Sequence, residues 1–219
     1  MDSIEKTKIN RIFNRAIFLL LRFKGLRKVI FLLFRRKYRF TQKINLCSGL
    51  VRIKGYANLD KWLTADIVYD VNFPLPFYDN SIERIVMMHA IYYFEYEKAK
   101  EIISEIYRIL KSDGIVRLSF TDLSIFAKKY IEKDYSFYCQ KIGTGEDRFK
   151  GKTIGDKFIS HAYFYGGIKY FYDFESLKVH FEEAGFREIK RCNFKESQIE
   201  NIEEIDNRPE LSGFLEAKK

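Results

Sequence analysis

The 219-residue chain predicts an α/β fold, a mostly parallel sheet flanked by helices and preceded by basic amphipathic N-terminal helices. Three observations predict it. Ile82–Met88, Tyr96–Lys111 and Ile115–Phe120 read as strand, helix and strand, and that succession requires parallel strands joined by a crossover. A glycine, carboxylate or histidine follows each of the early apolar strands. The basic residues, finally, are gathered at one end: residues 1–43 hold 13 Lys/Arg against Asp2 and Glu5, a net of +11 within an overall +9.

The elements follow in order. From Ile9 to Phe40, short apolar runs (Ala16–Leu21, Val29–Phe34) alternate with Arg and Lys, and Gly25 divides two predicted helices over 9–24 and 26–37. Neither run reaches the roughly 20 apolar residues needed to span a bilayer, and no signal-peptide core with a cleavage site is present. Two readings stay open for this arm (1–42). It lies on an anionic membrane surface through residues 9–40, or it caps the sheet with its cationic stems laid over apolar surface. Nucleic acid is the less favoured partner, because the phenylalanines sit in apolar runs and not as stacking platforms.

The domain proper spans 43–219. Lys43–Cys47 is a strand ending at the Ser48-Gly49 turn, and Gly55–Asp60 leads into a second that ends in a carboxylate. Only eleven residues separate Gly49 from Asp60, too few for a full helix and a strand, so no helix N-terminus is expected at this loop. Ala65–Tyr69 is the third strand, ending at Asp70; the prolines at 74 and 76 then break regular structure. Tyr96–Lys111 carries Ala99, Ile102, Ile103, Ile106, Tyr107 and Leu110 on one face, and Gly114 stops it. An insertion over about 123–169 shows little periodicity. Phe174–Ala184 is a helix closed by Gly185, and Phe186–Phe194 and Gly213–Ala217 are the last strands. Three spaced cysteines (Cys47, Cys139, Cys192) fit no disulfide framework or zinc pattern and suit a reducing, cytoplasmic setting.

Ligands of parallel sheets bind outside the carboxyl ends of the strands. Ser48 and Gly49, Asp60, Asp70, His89, and Thr121 with Asp122 are therefore expected to converge on one crevice. Dinucleotides are disfavoured there, since no G-x-G-x-x-G is present.

The strings KINLCSGL, KGYANLD, ADIVYDVNFPLPFYDNSIERIVMMHAIYYF and ISEIYRILKSDGIVRLSFTDL resemble the class I S-adenosylmethionine (SAM)-dependent methyltransferases. They are most similar to a small bacterial subgroup associated with surface-polysaccharide biosynthesis, with YFYDFESLKVHFEEAGF and the closing LEAKK also similar to it. The resemblance implies a Rossmann-like fold, SAM as cofactor, and a small-molecule, sugar or lipid-linked glycan as methyl acceptor. Carried over by position, it implies that Leu46, Cys47, Ser48 and Gly49 form the loop under the methionine part of SAM. Asp60 would hold the ribose, Asp70 and Val71 would flank the adenine, and His89 would sit beside sulfonium and acceptor. If the acceptor is a hydroxyl, a base assists, and His89 and then His161 are the candidates, with Asp122 orienting base or acceptor. For each, a merely structural role stays open. Tyr163, Tyr165, Tyr170 and Tyr172 form either a sugar-binding wall or a packed lid, and His180, beside Glu182 and Glu183, is expected at the surface. Where the subgroup has glycine and L-E-H, this chain has Cys47 and Ile91-Tyr92-Tyr93. Those departures favour an alternative, a non-catalytic domain for SAM sensing or protein interaction; an RNA methyltransferase is the remote one.

Overall fold

A computed structural model describes residues 16, 20, 23–163 and 168–219. Most of the expected helix over 9–24, and Tyr165, lie outside the described residues. Elements in chain order are α1 (Lys24–Lys37), β1 (Lys43–Leu46), β2 (Ala57–Asp60), β3 (Ile67–Val68), β4 (Ile82–Met88), α2 (Tyr96–Ile109), β5 (Leu110–Thr121), α3 (Leu123–Ile131), α4 (Tyr135–Tyr138), α5 (Ile154–Tyr163), α6 (Phe174–Ala184), β6 (Arg187–Cys192), α7 (Ile202–Ile205) and β7 (Ser212–Lys218). The seven strands form one sheet in the order β3-β2-β1-β4-β5-β7-β6. β1 to β5 pair in parallel, while β7 runs antiparallel between β5 and β6. This is the expected Rossmann-like architecture.

Several elements carry visible local causes. α2 buries Ala99, Ile102, Ile103, Ile106 and Ile109, the stripe that its spacing requires. It ends at Ile109, five residues before Gly114, because Leu110 already pairs with Ile82 of β4 and starts β5. Gly114 is needed for another reason: a Cβ there would lie 2.8 Å from the Lys111 carbonyl oxygen. α6 starts at a capping box between Asp173 and Ser176 and ends at Gly185, whose φ of 98° suits the left-handed cap. The proline loop before β4 is fastened from α2: Glu105 accepts from the Leu75 N–H (2.7 Å), and Arg108 donates to the Leu75 and Phe77 carbonyls.

Three findings differ from the sequence reading. Despite its weak periodicity, the described part of the 123–169 segment forms α3, α4 and α5 around an aromatic core of Phe126, Phe137, Tyr138 and Phe149. His180 is not at the surface but 2% exposed, its ring against Tyr96 at 4.5 Å. Position 180 lies three residues from Leu177, so it shares that residue's inward arc, and the acidic neighbours at 182 and 183 do not decide its facing. Finally, α1 begins at Lys24, which puts Gly25 in its first turn, and it docks on the domain. Ile30 and Phe34 enter the main core, Phe34 sits 6.0 Å from the Tyr69 ring, and the Arg27 guanidinium lies 4.1 Å over Phe73. Its opposite face leaves Leu26, Val29, Leu32 and Leu33 exposed, the last two at 61%. No helix among the described residues is long and apolar enough to cross a membrane.

Candidate active site

β1, β2, β3 and β4 end along one edge of the sheet, and the chain segments that leave them enclose a crevice of about 940 Å³. That volume falls at the upper end of small-molecule sites, roughly 300–1,000 Å³. After β1 the chain turns sharply: Cys47 has φ 54° and Gly49 has φ 53°, both left-handed. A side chain at Cys47 is thus tolerated where glycine would be less strained. No helix separates β1 from β2, as the eleven-residue spacing requires.

Asp60, at the end of β2, is buried and rigidly held. Its Oδ2 accepts from the Gly49 N–H (2.8 Å) and its Oδ1 from the Trp62 N–H (2.9 Å), so one carboxylate fixes both strand-end loops. Each oxygen keeps a lone pair directed elsewhere. Asp70, past β3, uses Oδ1 to accept from the Asn72 backbone and side-chain amides (2.9 and 2.8 Å). Burial, followed by the charges of Asp60 and Asp70, pushes the Cys47 thiol pKa up, so it stays protonated and is no nucleophile at neutral pH.

His89 follows β4 with φ 52°, its N–H held by the Ser119 carbonyl and hydroxyl oxygens, both at 3.0 Å. The Asn207 side-chain oxygen accepts from His89 Nε2–H at 2.8 Å, while Asn207 Nδ2 donates to the Ile205 carbonyl at 3.2 Å. That second bond sets the amide's orientation, and Nδ1 is left as the unprotonated nitrogen. Burial, and then the Arg208 charge, hold the imidazole pKa down to about 4. His89 is therefore neutral at physiological pH, with a lone pair less basic than that of free imidazole.

Of the residues expected in this crevice, Cys47, Ser48, Gly49, Asp60, Asp70, Val71 and His89 line it. Leu46 does not; its side chain is fully buried in the main core, because alternate residues of a strand face opposite sides. His161 and Asp122 are not in it either. His161 stacks on Phe126 at 4.4 Å within the aromatic core of the insertion. Asp122 caps α3 by accepting from the Ser124 N–H and pairs with Arg191 at 2.5 Å. Tyr170 is part-exposed and Tyr172 fully buried, neither lining the crevice, while nothing is described of the Tyr163 side chain. Tyr92 and Tyr93, which replace the last two residues of the subgroup's L-E-H, also line the crevice, and the sequence reading missed Trp62, Asn207 and Arg208. Trp62, the chain's one tryptophan and two residues past Asp60, was open to detection; Asn207 is 118 residues from His89 and carried no signal. Among the described residues no cluster of His, Cys, Asp or Glu has a metal-binding arrangement, and the three cysteines are free thiols.

A sequence model of the ubiE/COQ5 methyltransferase family matches residues 50–199. The chain belongs to that family. Its fold is shared with a Thermotoga maritima SAM-dependent methyltransferase, possible histamine N-methyltransferase, at 18% identity and TM-score 0.50 over 95% of this chain and 98% of that one. It is also shared with Haemonchus contortus phosphoethanolamine N-methyltransferase 2 in complex with SAM, at 13% identity and TM-score 0.50, covering 84% of this chain and 51% of that one. No curated protein sequence matches it. The protein is thus a SAM-dependent methyltransferase, and the non-catalytic alternative is set aside.

The donor set of the methyltransferase suits its cofactor. SAM offers hydroxyls, an exocyclic amine and a sulfonium but no phosphate, and the β1–β3 end of the crevice presents two carboxylates and no helix N-terminus. The left-handed turn at Cys47–Gly49 brings backbone to the crevice wall.

All three histidines are held neutral by burial: His89 and His161 have pKa values lowered to about 4, and His180 is lowered in the same direction. At His89 and His161 the unfolded chain binds a proton from about pH 6.5 downward and the folded chain only near 4, so stability falls as pH drops through that window. For buried His161 the difference corresponds to about 3 kcal/mol. Denaturation of His161→Leu across pH 4–7 is expected to show a shallower acid limb than the parent; an unchanged slope would refute this origin.

Proposed function

We propose that the crevice holds SAM with Asp60 on the ribose, Asp70 and Val71 beside the adenine and Ser48–Gly49 at the methionine end, and that the acceptor is a sugar or lipid-linked glycan hydroxyl beside His89. The observation that carries the reading is Asp60: a buried carboxylate fixed by two backbone N–H groups, with acceptor capacity left on both oxygens. Vicinal hydroxyls need such a pair of pre-oriented acceptors. Bound SAM supplies an electrophilic methyl group on a sulfonium.

The protein's own task is positioning. In-line approach to about 3–3.5 Å supplies most of such a rate. Tyr92 and Tyr93, rings 4.7 Å apart, and the Lys169 N–H donating to the Tyr92 carbonyl at 2.8 Å give the acceptor side a firm wall. His89 Nδ1 accepts a hydrogen bond from the acceptor hydroxyl; with its low basicity, it orients that proton and takes it only as the new bond forms. His161 and Asp122 have no part. Calorimetry with S-adenosylhomocysteine tests the cofactor site directly: absence of binding at millimolar ligand would reject it.

The glycan class is supported by the resemblance of the strings from KINLCSGL to LEAKK to the polysaccharide-associated subgroup. A peripheral position at the inner, cytoplasmic membrane face is supported by α1, whose outward Leu26, Val29, Leu32 and Leu33 lie among Lys28, Arg36 and Lys37. Apolar side chains entering the headgroup boundary beside cations meeting anionic lipid is how interfacial helices bind. Deleting the arm is a poor test, because Ile30 and Phe34 belong to the core. The full chain is expected to float with phosphatidylglycerol-containing liposomes and a Leu32→Glu/Leu33→Glu variant to remain in the pellet. Equal flotation of both would sink the membrane assignment.

A further inference from the structure

We infer that the methyl acceptor carries an anionic group, a carboxylate or a phosphate, and that the Arg208 guanidinium binds it in the crevice beside His89. This rests on the proposed cofactor site and specifies the chemistry of its acceptor.

Arg208 lines the crevice, yet its guanidinium makes no hydrogen bond, ion pair or ring contact with any described residue. The acids nearest in sequence are already engaged: Asp206 with Arg117 and Glu210 with Arg148 at 2.9 Å. The other cations of the crevice differ. Lys98 is paired with Glu101 at 2.6 Å and Lys169 with Glu95 at 2.8 Å. Lys61 follows Asp60 directly and opposes the Asp60 and Asp70 charges at Cys47, at the cofactor end. The field of Arg208 is felt at His89 and Tyr92, on the acceptor side, and also at His161 in the neighbouring aromatic core.

Its backbone is also built for a fixed position. Arg208 has φ 55°, a left-handed conformation that costs a non-glycine residue roughly 1–2 kcal/mol. It persists because both flanks are tied. The Arg208 carbonyl accepts from the Leu211 N–H (3.2 Å) and the Ser212 hydroxyl (2.7 Å). On the other side, Asn207 is bonded to His89 and Asp206 to the buried Arg117. Strained residues held by over-determined surroundings gather at ligand sites, and here Cys47, His89 and Arg208 share both the strain and the crevice. A guanidinium so presented matches the planar, bidentate geometry of carboxylate and phosphate. A neutral acceptor would leave its donors to water.

The test is calorimetry on the full chain saturated with S-adenosylhomocysteine, titrated at constant ionic strength with inorganic phosphate in one arm and benzoate in the other. Parent, Arg208→Lys and Arg208→Gln are compared. At least one anion is expected to bind saturably to the parent, about tenfold or more weakly to Arg208→Gln, and at an intermediate level to Arg208→Lys, with S-adenosylhomocysteine affinity unchanged in all three. The arm that responds identifies phosphate or carboxylate as the group recognised. Binding of neither anion, or binding undiminished in Arg208→Gln, overturns the inference and leaves the cofactor site standing. Failure of the parent to bind S-adenosylhomocysteine removes the site itself, and the inference with it.

Discussion

Replacing Asp60 with alanine is expected to weaken S-adenosylhomocysteine binding by about two orders of magnitude. Hydrogen bonds to a charged acceptor contribute about 1.5–3 kcal/mol each. Losing two, on the proposed ribose assignment, corresponds to a hundredfold or more. Asp60 also anchors the Gly49 and Trp62 N–H groups, so part of the loss reflects a loosened turn. An Asn72→Ala control separates the contributions. It removes a side-chain bond to Asp70 without touching Asp60, and its effect is expected to be far smaller. Calorimetry reads both, with circular dichroism confirming that the Asp60→Ala chain is folded. Unchanged affinity in that folded variant would show that the ribose lies elsewhere.

The second large effect is on stability. Arg117 points out of the middle of β5, is fully buried, and uses all five of its N–H donors. Two go to the Asp206 carboxylate at 2.9 and 2.5 Å, one to Glu216 at 3.0 Å, and two to the carbonyls of Glu196 and Asn193. Arg117→Met would leave two carboxylates buried without their cation, and breaking such a pair costs about 3–5 kcal/mol. Chemical denaturation measures it; a loss below about 1 kcal/mol, the scale of exposed pairs, would refute the assignment. Replacing all three charges together, as Arg117→Met/Asp206→Leu/Glu216→Leu, is expected to recover much of the loss, since the attraction of a buried pair largely offsets its desolvation. Stability restored in that way would come with a cost in position. The cluster ties the 193–208 segment to the sheet, and Asn207 and Arg208 reach the crevice on that segment.

The legible part of this protein was local. β4 is legible because Ile82–Met88 is a mainly apolar run, interrupted only by Glu83 and Arg84, between turn signals, and α6 because its apolar spacing ends on Gly185. The short link from Gly49 to Asp60 excluded a helix by length alone. Asp60 and Asp70 stood out as carboxylates at the ends of parallel strands, where a crevice must form. By contrast, the 123–169 insertion looked irregular because its helices pack aromatic rings among themselves instead of presenting one stripe to a sheet. His180 has acidic neighbours in sequence, yet Leu177 one helical turn away decides its inward facing.

The sequence by itself determined an α/β domain with a basic arm and a crevice bordered by Asp60, Asp70 and His89, with no dinucleotide fingerprint, because those features follow from periodicity, turn chemistry and strand ends. Only the tertiary structure decided who shares the crevice. It removed Leu46, His161 and Asp122 and brought in Trp62, Tyr92, Asn207 and Arg208. It also seated one face of α1 in the core while leaving the other bare. The reason is physical: a strand end is fixed by its own residues, whereas the residue opposite it is fixed by a fold that closes loops of a hundred residues and more.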